Sequence, residues 1–458
     1  MNNPGSKKMF APVGLELGNW SFSGGWTVGG WIFCLGLFSA NIIFAAETNA
    51  WPVLTLAEAQ QLALQNHPQI AAADYRALAA QEAVKEARAG YFPTLNLYGA
   101  AVGTGSDDNT RILAGGLNNP SVFDRVAGGL ALNQLITDFG RTANLTASSK
   151  FQAQAENQNA AATREQVLLQ VDVCYFRSLE AQAVLQVAQA AFKTRQLLLD
   201  QVSVLATNKL KSELDVSFAH VALEEGRLLL QKARNNTDAA MSSLSTALGN
   251  HGLKSFQLVE QALPTDAATN DVEEYIQTAL GNRPELLSLR SQHDAATRFA
   301  RSERDARLPT VSAVGVVGDS PAHDGRLPDN YAVGGIELSL PIFAGGLYTA
   351  RQHQAELKAQ ADDELLRSAE NNVVRDVRIA WLNVNNAAEQ LRTTEELVQH
   401  AAEAFDLAEA RYRTGISSIV ELSQAQLSLI SAQLAHADAR YEVLIQEASL
   451  NFETGELR

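Results

Sequence analysis

Apolar residues recur at alternating steps of four and three along two long stretches of this chain, and both stretches carry the same pattern. Val167, Val171, Cys174, Ala181, Leu185, Ala188, Phe192 and Val202 are answered 206 positions later by Val373, Val377, Ala380, Ala387, Leu391, Thr394, Val398 and Ala408. Such steps put the residues on one stripe of a helix, the seam along which helices pack side by side. Neither 142–206 nor 348–414 contains proline or glycine. Each therefore predicts an unbroken helix of roughly 65 residues, a rod of about 100 Å at ~1.5 Å per residue.

The match extends over 132–249 and 338–455 without a gap. Upstream, Asn66, Pro68, Pro93, Thr94 and Gly99 match Asn282, Pro284, Pro309, Thr310 and Gly315 at an offset of 216. A repeat this long far exceeds solenoid units of roughly 20–50 residues, so each half predicts a whole subdomain and the chain a pseudo-twofold architecture. The division read from it is a leader at 1–46, a first repeat at 47–250, a linker at 251–270 and a second repeat at 271–458. Each repeat is expected to hold a helix, two strands and a long helical hairpin.

Shorter patterns fill in the elements. Residues 56–89 are helical by periodicity and are cut at Asn66-His67-Pro68, as the second half is at Asn282-Arg283-Pro284. Residues 91–98 and 308–317 read as strands, and 103–121 and 318–330, rich in Gly, Asp and Asn, as exposed loops leading to returning strands. In those strands Ile336, Leu338, Leu340 and Ile342 alternate with Gly335, Glu337, Ser339 and Pro341, and Leu130, Leu132, Gln134 and Ile136 with Gly129, Ala131, Asn133 and Leu135. One face is greasy and the other more polar, which suits a sandwich or a membrane barrel. Asp138-Phe139-Gly140-Arg141 in the first half, and Pro341, Gly345 and Gly346 in the second, supply a bend from strand into rod. The rods turn back at 208–215 and 414–421 and return as helices ending near Gly249 and Gly455. Four short strands cannot close a barrel, which takes about 8 at least, and hydrocarbon does not tolerate open edges. Other copies of the chain are needed to complete the sheet.

Composition narrows the function. With 46% hydrophobic residues among 458 the chain can bury a sizeable core, and a net charge of -15 leaves no basic stripe for nucleic acid. Residues 31–45 form an apolar run, broken by Gly36, Ser39 and Asn41, that gives way to Ala45-Ala46. This reads as a secretory signal, too short for the ~20 apolar residues of a spanning helix, with an uncleaved anchor as the other reading. Lys7 and Lys8 lie far from that run, which points to a downstream start or an extended leader. Cys34 falls in the leader, without the small residue that precedes a lipidated cysteine, and Cys174 is alone in the remainder, where its seam position predicts a structural thiol. The eight histidines, among them His67, His220, His323 and His400, lack metal-ligand spacing. No nucleophile elbow, phosphate loop or paired-cysteine motif occurs, so neither enzyme activity, metal nor cofactor is expected.

The order of helix, Asn-x-Pro break, Pro-Thr strand, polar loop, Leu-x-Leu-Pro-Ile-Phe-x-Gly-Gly at 338–346, long helix and Tyr-Arg-x-Gly turn within 412–422 resembles the TolC family of outer membrane efflux proteins. The resemblance covers about 51–455 and includes the internal duplication. It implies a mainly α chain with a membrane β-barrel: a homotrimer whose twelve-stranded barrel, four strands per chain, continues into a long periplasmic α-helical barrel. The implied function is the exit channel of a tripartite efflux or type I secretion system in the outer membrane of a Gram-negative-type cell. Its partners would be a periplasmic adaptor (membrane fusion protein), an inner membrane transporter of RND or ABC type, and outer membrane lipids. The implied periplasmic entrance involves Asp215, Glu421, Tyr412, Ser417 and Gln424, with Ser417 standing where the family has an arginine and Gln424 where it has a second acid. Six carboxylates around one opening would attract cations; Asp215 and Glu421 also read as ordinary first-turn acids complementing helix dipoles. Lys209, Leu210, Gly415 and Ile416 are the turn residues expected to meet an adaptor, and Lys209, Lys211 and Arg413 read either as tip contacts or as solvated charge. The competing class is a periplasmic coiled-coil adaptor or scaffold without a pore, which would account for leader and heptads but predicts one hairpin. The cargo is not legible.

Overall fold

The computed structural model describes residues 52–102, 125–250, 252, 256–263, 271–322 and 329–457. The predicted leader, Cys34, His323 and the loop at 103–121 lie outside them. The first repeat runs β1 (Val53–Leu54), α1 (Leu56–Asn66), α2 (Pro68–Ala89), β2 (Thr94–Val102), β3 (Arg125–Thr137), α3 (Arg141–Thr207) and α4 (Glu213–Ala247). The linker carries β4 (Gln257–Leu258), and the second repeat runs α5 (Val272–Asn282), α6 (Pro284–Asp305), β5 (Thr310–Ala322), β6 (Asn330–Ser339), α7 (Leu347–Arg413) and α8 (Ile419–Thr454). Both rods, α3 and α7, are 67 residues long.

Local chemistry fixes the helix ends. Thr55 and Glu58 close a capping box on α1, and Pro68 opens α2 where His67 Nδ1 accepts from the Gln69 N–H at 3.3 Å. The two strand-to-rod bends use different means. Gly345 and Gly346 both take positive φ, +61° and +85°. In the first half Phe139 and Gly140 do so, and the Asp138 carboxylate accepts from the backbone N–H and hydroxyl of Thr142, at 2.7 and 2.5 Å.

Helices pack four abreast at two levels. Nearer the sheet, α3 lies between α2 and α6, and α6 also packs on α7; nearer the turns, α4, α3, α8 and α7 stand in that order. The sheet has the matching order β2-β3-β5-β6, all antiparallel. Its register puts Leu95, Leu97, Leu130, Leu132, Val311, Val317, Ile336 and Leu338 on one face, and Asn96, Asn133, Ser312, Glu337 and Ser339 on the other. The expected loop at 318–330 is corrected at both ends: β5 runs on to Ala322 and β6 begins at Asn330, because Gly318 and Asp319 pair with Gly129 and Gly128 on one side and Tyr331 and Asn330 on the other. β2 and β5 start at Thr94 and Thr310, after the Pro rather than before it, and Leu340, Pro341 and Ile342 lie beyond the end of β6.

The largest core joins α1, α3, α4 and α8 around Val167, Val171, Tyr175, Leu244, Leu248 and Leu444. Cys174 packs against it half-buried, and burial pushes its thiol up, as for an inert structural cysteine. The linker is not featureless: β4 pairs in parallel with β1. Tyr175 ties this pair to the rod, its hydroxyl lying 2.9 Å from Leu54 O and 2.8 Å from Val259 O while accepting from Val259 N at 3.1 Å. Tyr175→Phe leaves Val259 O without its donor, while the Val259 N–H keeps Leu54 O at 3.2 Å, and we expect a loss of about 2 kcal/mol, read as an earlier urea midpoint. The duplication is expressed in packing too. Gly249 (φ +76°) ends α4 against the Asn66-His67 break, where a Cβ would come 2.7 Å from Asn66 O, and Gly455 (φ +74°) ends α8 against Asn282-Arg283.

Candidate functional site

The two turns, α3 to α4 and α7 to α8, meet at the end of the molecule remote from the sheet. A small core of Leu199, Val202, Ala219, Leu223, Ala408, Tyr412, Ile419 and Leu422 joins them. Around it the site residues expected from the sequence fall into three groups.

Asp215, Tyr412 and Lys211 come together. Asp215 is the third residue of α4, and its Oδ2 accepts from the Ser212 N–H at 3.0 Å and hydroxyl at 2.9 Å, completing a capping box. Tyr412 in the last turn of α7 is 5% exposed, and the Lys211 ammonium sits 3.9 Å from its ring centroid, a cation–π contact bridging the two hairpins. Burial pushes the Tyr412 phenol above its ordinary range, the charge of Asp215 adds to this, and its hydroxyl finds no partner among the described residues.

Glu421 and Ser417 belong to the other turn. Ser418 caps α8 by accepting from the Glu421 N–H at 3.4 Å, but the Glu421 carboxylate turns to Arg411 Nε at 3.5 Å instead of closing a box. Exposed, that pair is worth at most about 1 kcal/mol. The Ser417 hydroxyl is buried without a partner among the described residues. Gln424 is exposed one turn further along α8, and Arg413 pairs with Glu409 on its own helix at 2.7 Å.

The outermost surface is apolar. Leu210 and Ile416 are 70% and 72% exposed, flanked by Lys209 (φ +60°) and Gly415 (φ +77°) in the left-handed region that lets each turn close. Pro341, Gly345 and Gly346 lie at the opposite, sheet end and belong to the bend alone. Arg411 was not anticipated, although its place ten residues before Glu421 in a hairpin turn was a readable signal. Among the described residues no group of acids, histidines or cysteines is arranged to hold a metal ion.

The profile of the outer membrane efflux protein family matches residues 59–250 and 275–456, one match per repeat. Outer membrane protein TolC of Escherichia coli (strain K12) is 27% identical over 395 residues, spanning 83% of this chain and 78% of the relative. The alkaline protease secretion protein AprF of Pseudomonas aeruginosa is 25% identical over 440 residues, spanning 92% and 88%. The crystal structure of the outer membrane protein VceC of Vibrio cholerae superposes with a TM-score of 0.74 at 18% identity, over 87% of this chain and 96% of that one. With both repeats matched and the fold shared along nearly its full length, the chain belongs to the outer membrane efflux protein family and is an outer membrane exit channel of efflux or secretion.

Proposed function

We propose that three copies close the channel. The observation that carries this is the four-stranded sheet: among the described residues β2 and β6 are both unpaired edges, and the sheet shows one greasy face bearing Leu97, 79% exposed, and Ile336, 75% exposed. Pairing β6 of one copy with β2 of the next removes every edge, and three copies give twelve strands around a lumen. The four helices abreast below each sheet would then continue the wall, and the turns would form its narrow periplasmic mouth. There Asp215 and Glu421 supply six carboxylates, and the exposed Leu210 and Ile416 face an adaptor carrying cargo from an inner membrane transporter. The Lys211–Tyr412 contact supports a mouth held shut within each copy, in place of the arginine link that Ser417 does not provide.

The test is planar-bilayer recording of the detergent-extracted protein with divalent or trivalent cations on the periplasmic side. Discrete pore events blocked by the cations are expected, with block weakened by about an order of magnitude in the Asp215→Ala/Glu421→Ala double variant. Unchanged block in that variant would remove the acidic mouth; a soluble, non-conducting monomer would remove the trimeric channel.

A further inference from the structure

One row of the sheet is unlike the rest. On the less greasy face the register lines up Tyr98, Gly129, Gly318 and Tyr331 across all four strands, so two tyrosines on the edge strands flank a floor of two glycines. The Tyr331 phenol lies across this floor: a Cβ on Gly318 would collide with its ring, and one on Gly129 would come within 3.1 Å of its hydroxyl. Tyr98 is 61% exposed and Tyr331 37% exposed. Among the described side chains of this face the one charge is the carboxylate of Glu337, six residues from Tyr331 along β6 and about 20 Å nearer the helices.

We propose that Tyr98 and Tyr331 form an aromatic belt around the lumen that binds lipophilic organic cations. The inference rests on the trimeric barrel proposed above. Closing β6 of one copy onto β2 of the next brings Tyr331 and Tyr98 to the two sides of each seam, so three copies set six phenols on one band of the wall. The electron-rich ring faces attract a weakly hydrated cation: the Tyr331 ring rests one side on the glycines, which leaves its other face and the exposed Tyr98 ring to receive a flat aromatic group. Glu337, about 20 Å away on the helix side, is screened at physiological salt, so the rings themselves set the preference for a cation. Covering glycine with an aromatic ring also steadies a sheet, but that role alone gives no preference between a cation and its neutral analogue.

Equilibrium dialysis of detergent-solubilised protein against tetraphenylphosphonium, with neutral triphenylphosphine oxide as control, separates the two and needs no open tip. Wild-type trimers are expected to bind the cation in preference to the oxide. Tyr98→Phe/Tyr331→Phe should retain this binding and Tyr98→Leu/Tyr331→Leu should weaken it about tenfold, as expected from losing two ring contacts. Should the double leucine variant fail to assemble, Tyr98→Leu alone, whose ring does not cover the glycines, is expected to lose about threefold. A wild-type trimer that binds both probes alike, or leucine variants that bind the cation as wild type does, overturns the belt and leaves the channel standing. A wild-type monomer in the same preparation overturns the barrel and the belt with it.

Discussion

Leu97→Arg and Leu130→Arg are each expected to abolish recovery of the protein as an outer membrane trimer, whereas Asn96→Arg and Ala131→Arg, one residue away, are expected to leave it intact. Leu97 and Leu130 are cross-strand partners on the greasy face, near the middle of the sheet, and Asn96 and Ala131 are partners on the opposite face. An arginine facing lipid at mid-membrane costs about 2–4 kcal/mol in a barrel, and a trimer carries three, or about 6–12 kcal/mol, comparable to the whole stability of a typical domain. The same side chain in a water-filled lumen keeps its hydration. Membrane fractionation with a heat-stability assay of the trimer band reads the difference. Loss of trimer in all four variants would mean that the register, not the lipid face, is the sensitive feature, and loss only in the Asn96 and Ala131 variants would invert the faces.

That contrast was legible in the alternation of Leu130 and Leu132 with Ala131 and Asn133, because a period of two survives whatever the sheet pairs with. The rods were equally legible, since a four-three apolar period sustained over such a span without glycine or proline is a helical pattern. What the sequence hid was decided by tertiary contact. Gly318 and Asp319 have turn propensity, yet they lie in β5 because their backbones pair on both sides and Tyr331 needs the space above the glycine. β1 and β4 are two residues each, too short for any period, and form because Tyr175, far along α3, bridges them. At the tip the repeat itself misled. Lys211 and Ser417 occupy copied positions, and so do Tyr412 and Ala206, yet Lys211 makes a cation–π contact to Tyr412 that Ser417 and Ala206 have no chemistry to repeat. The duplicated backbone is shared, and the side chains that tie the halves together are not.

The same divergence underlies the other large effect: Asp172→Asn is expected to stabilise each chain by about 3 kcal/mol at pH 7.5 and by nothing below about pH 4. Asp172 sits on the core side of α3, 3% exposed, with Gln60 of α1 donating to its Oδ1 at 2.7 Å. Its copy in the second half is Arg378, which lies 58% exposed and only 3.9 Å from Glu273. Burial pushes the Asp172 carboxyl from its ordinary 3.8 up to about 6, the Gln60 contact opposing this only in part. A raised value means that the folded chain holds the proton more tightly than the unfolded one. Folding is therefore favoured in full below about pH 4, loses stability as the pH climbs from 4 to 6, and carries the whole cost above that. Asparagine keeps the shape and the acceptor for Gln60 but has no charge to desolvate. Urea unfolding of wild type and variant at pH 4, 5.5 and 7.5 should give midpoints that coincide in acid and separate progressively above it. A gap of equal size at all three pH values would assign the effect to packing and leave Asp172 neutral throughout, while a variant less stable at pH 7.5 would mean that the carboxylate finds compensation that burial and a single amide do not supply.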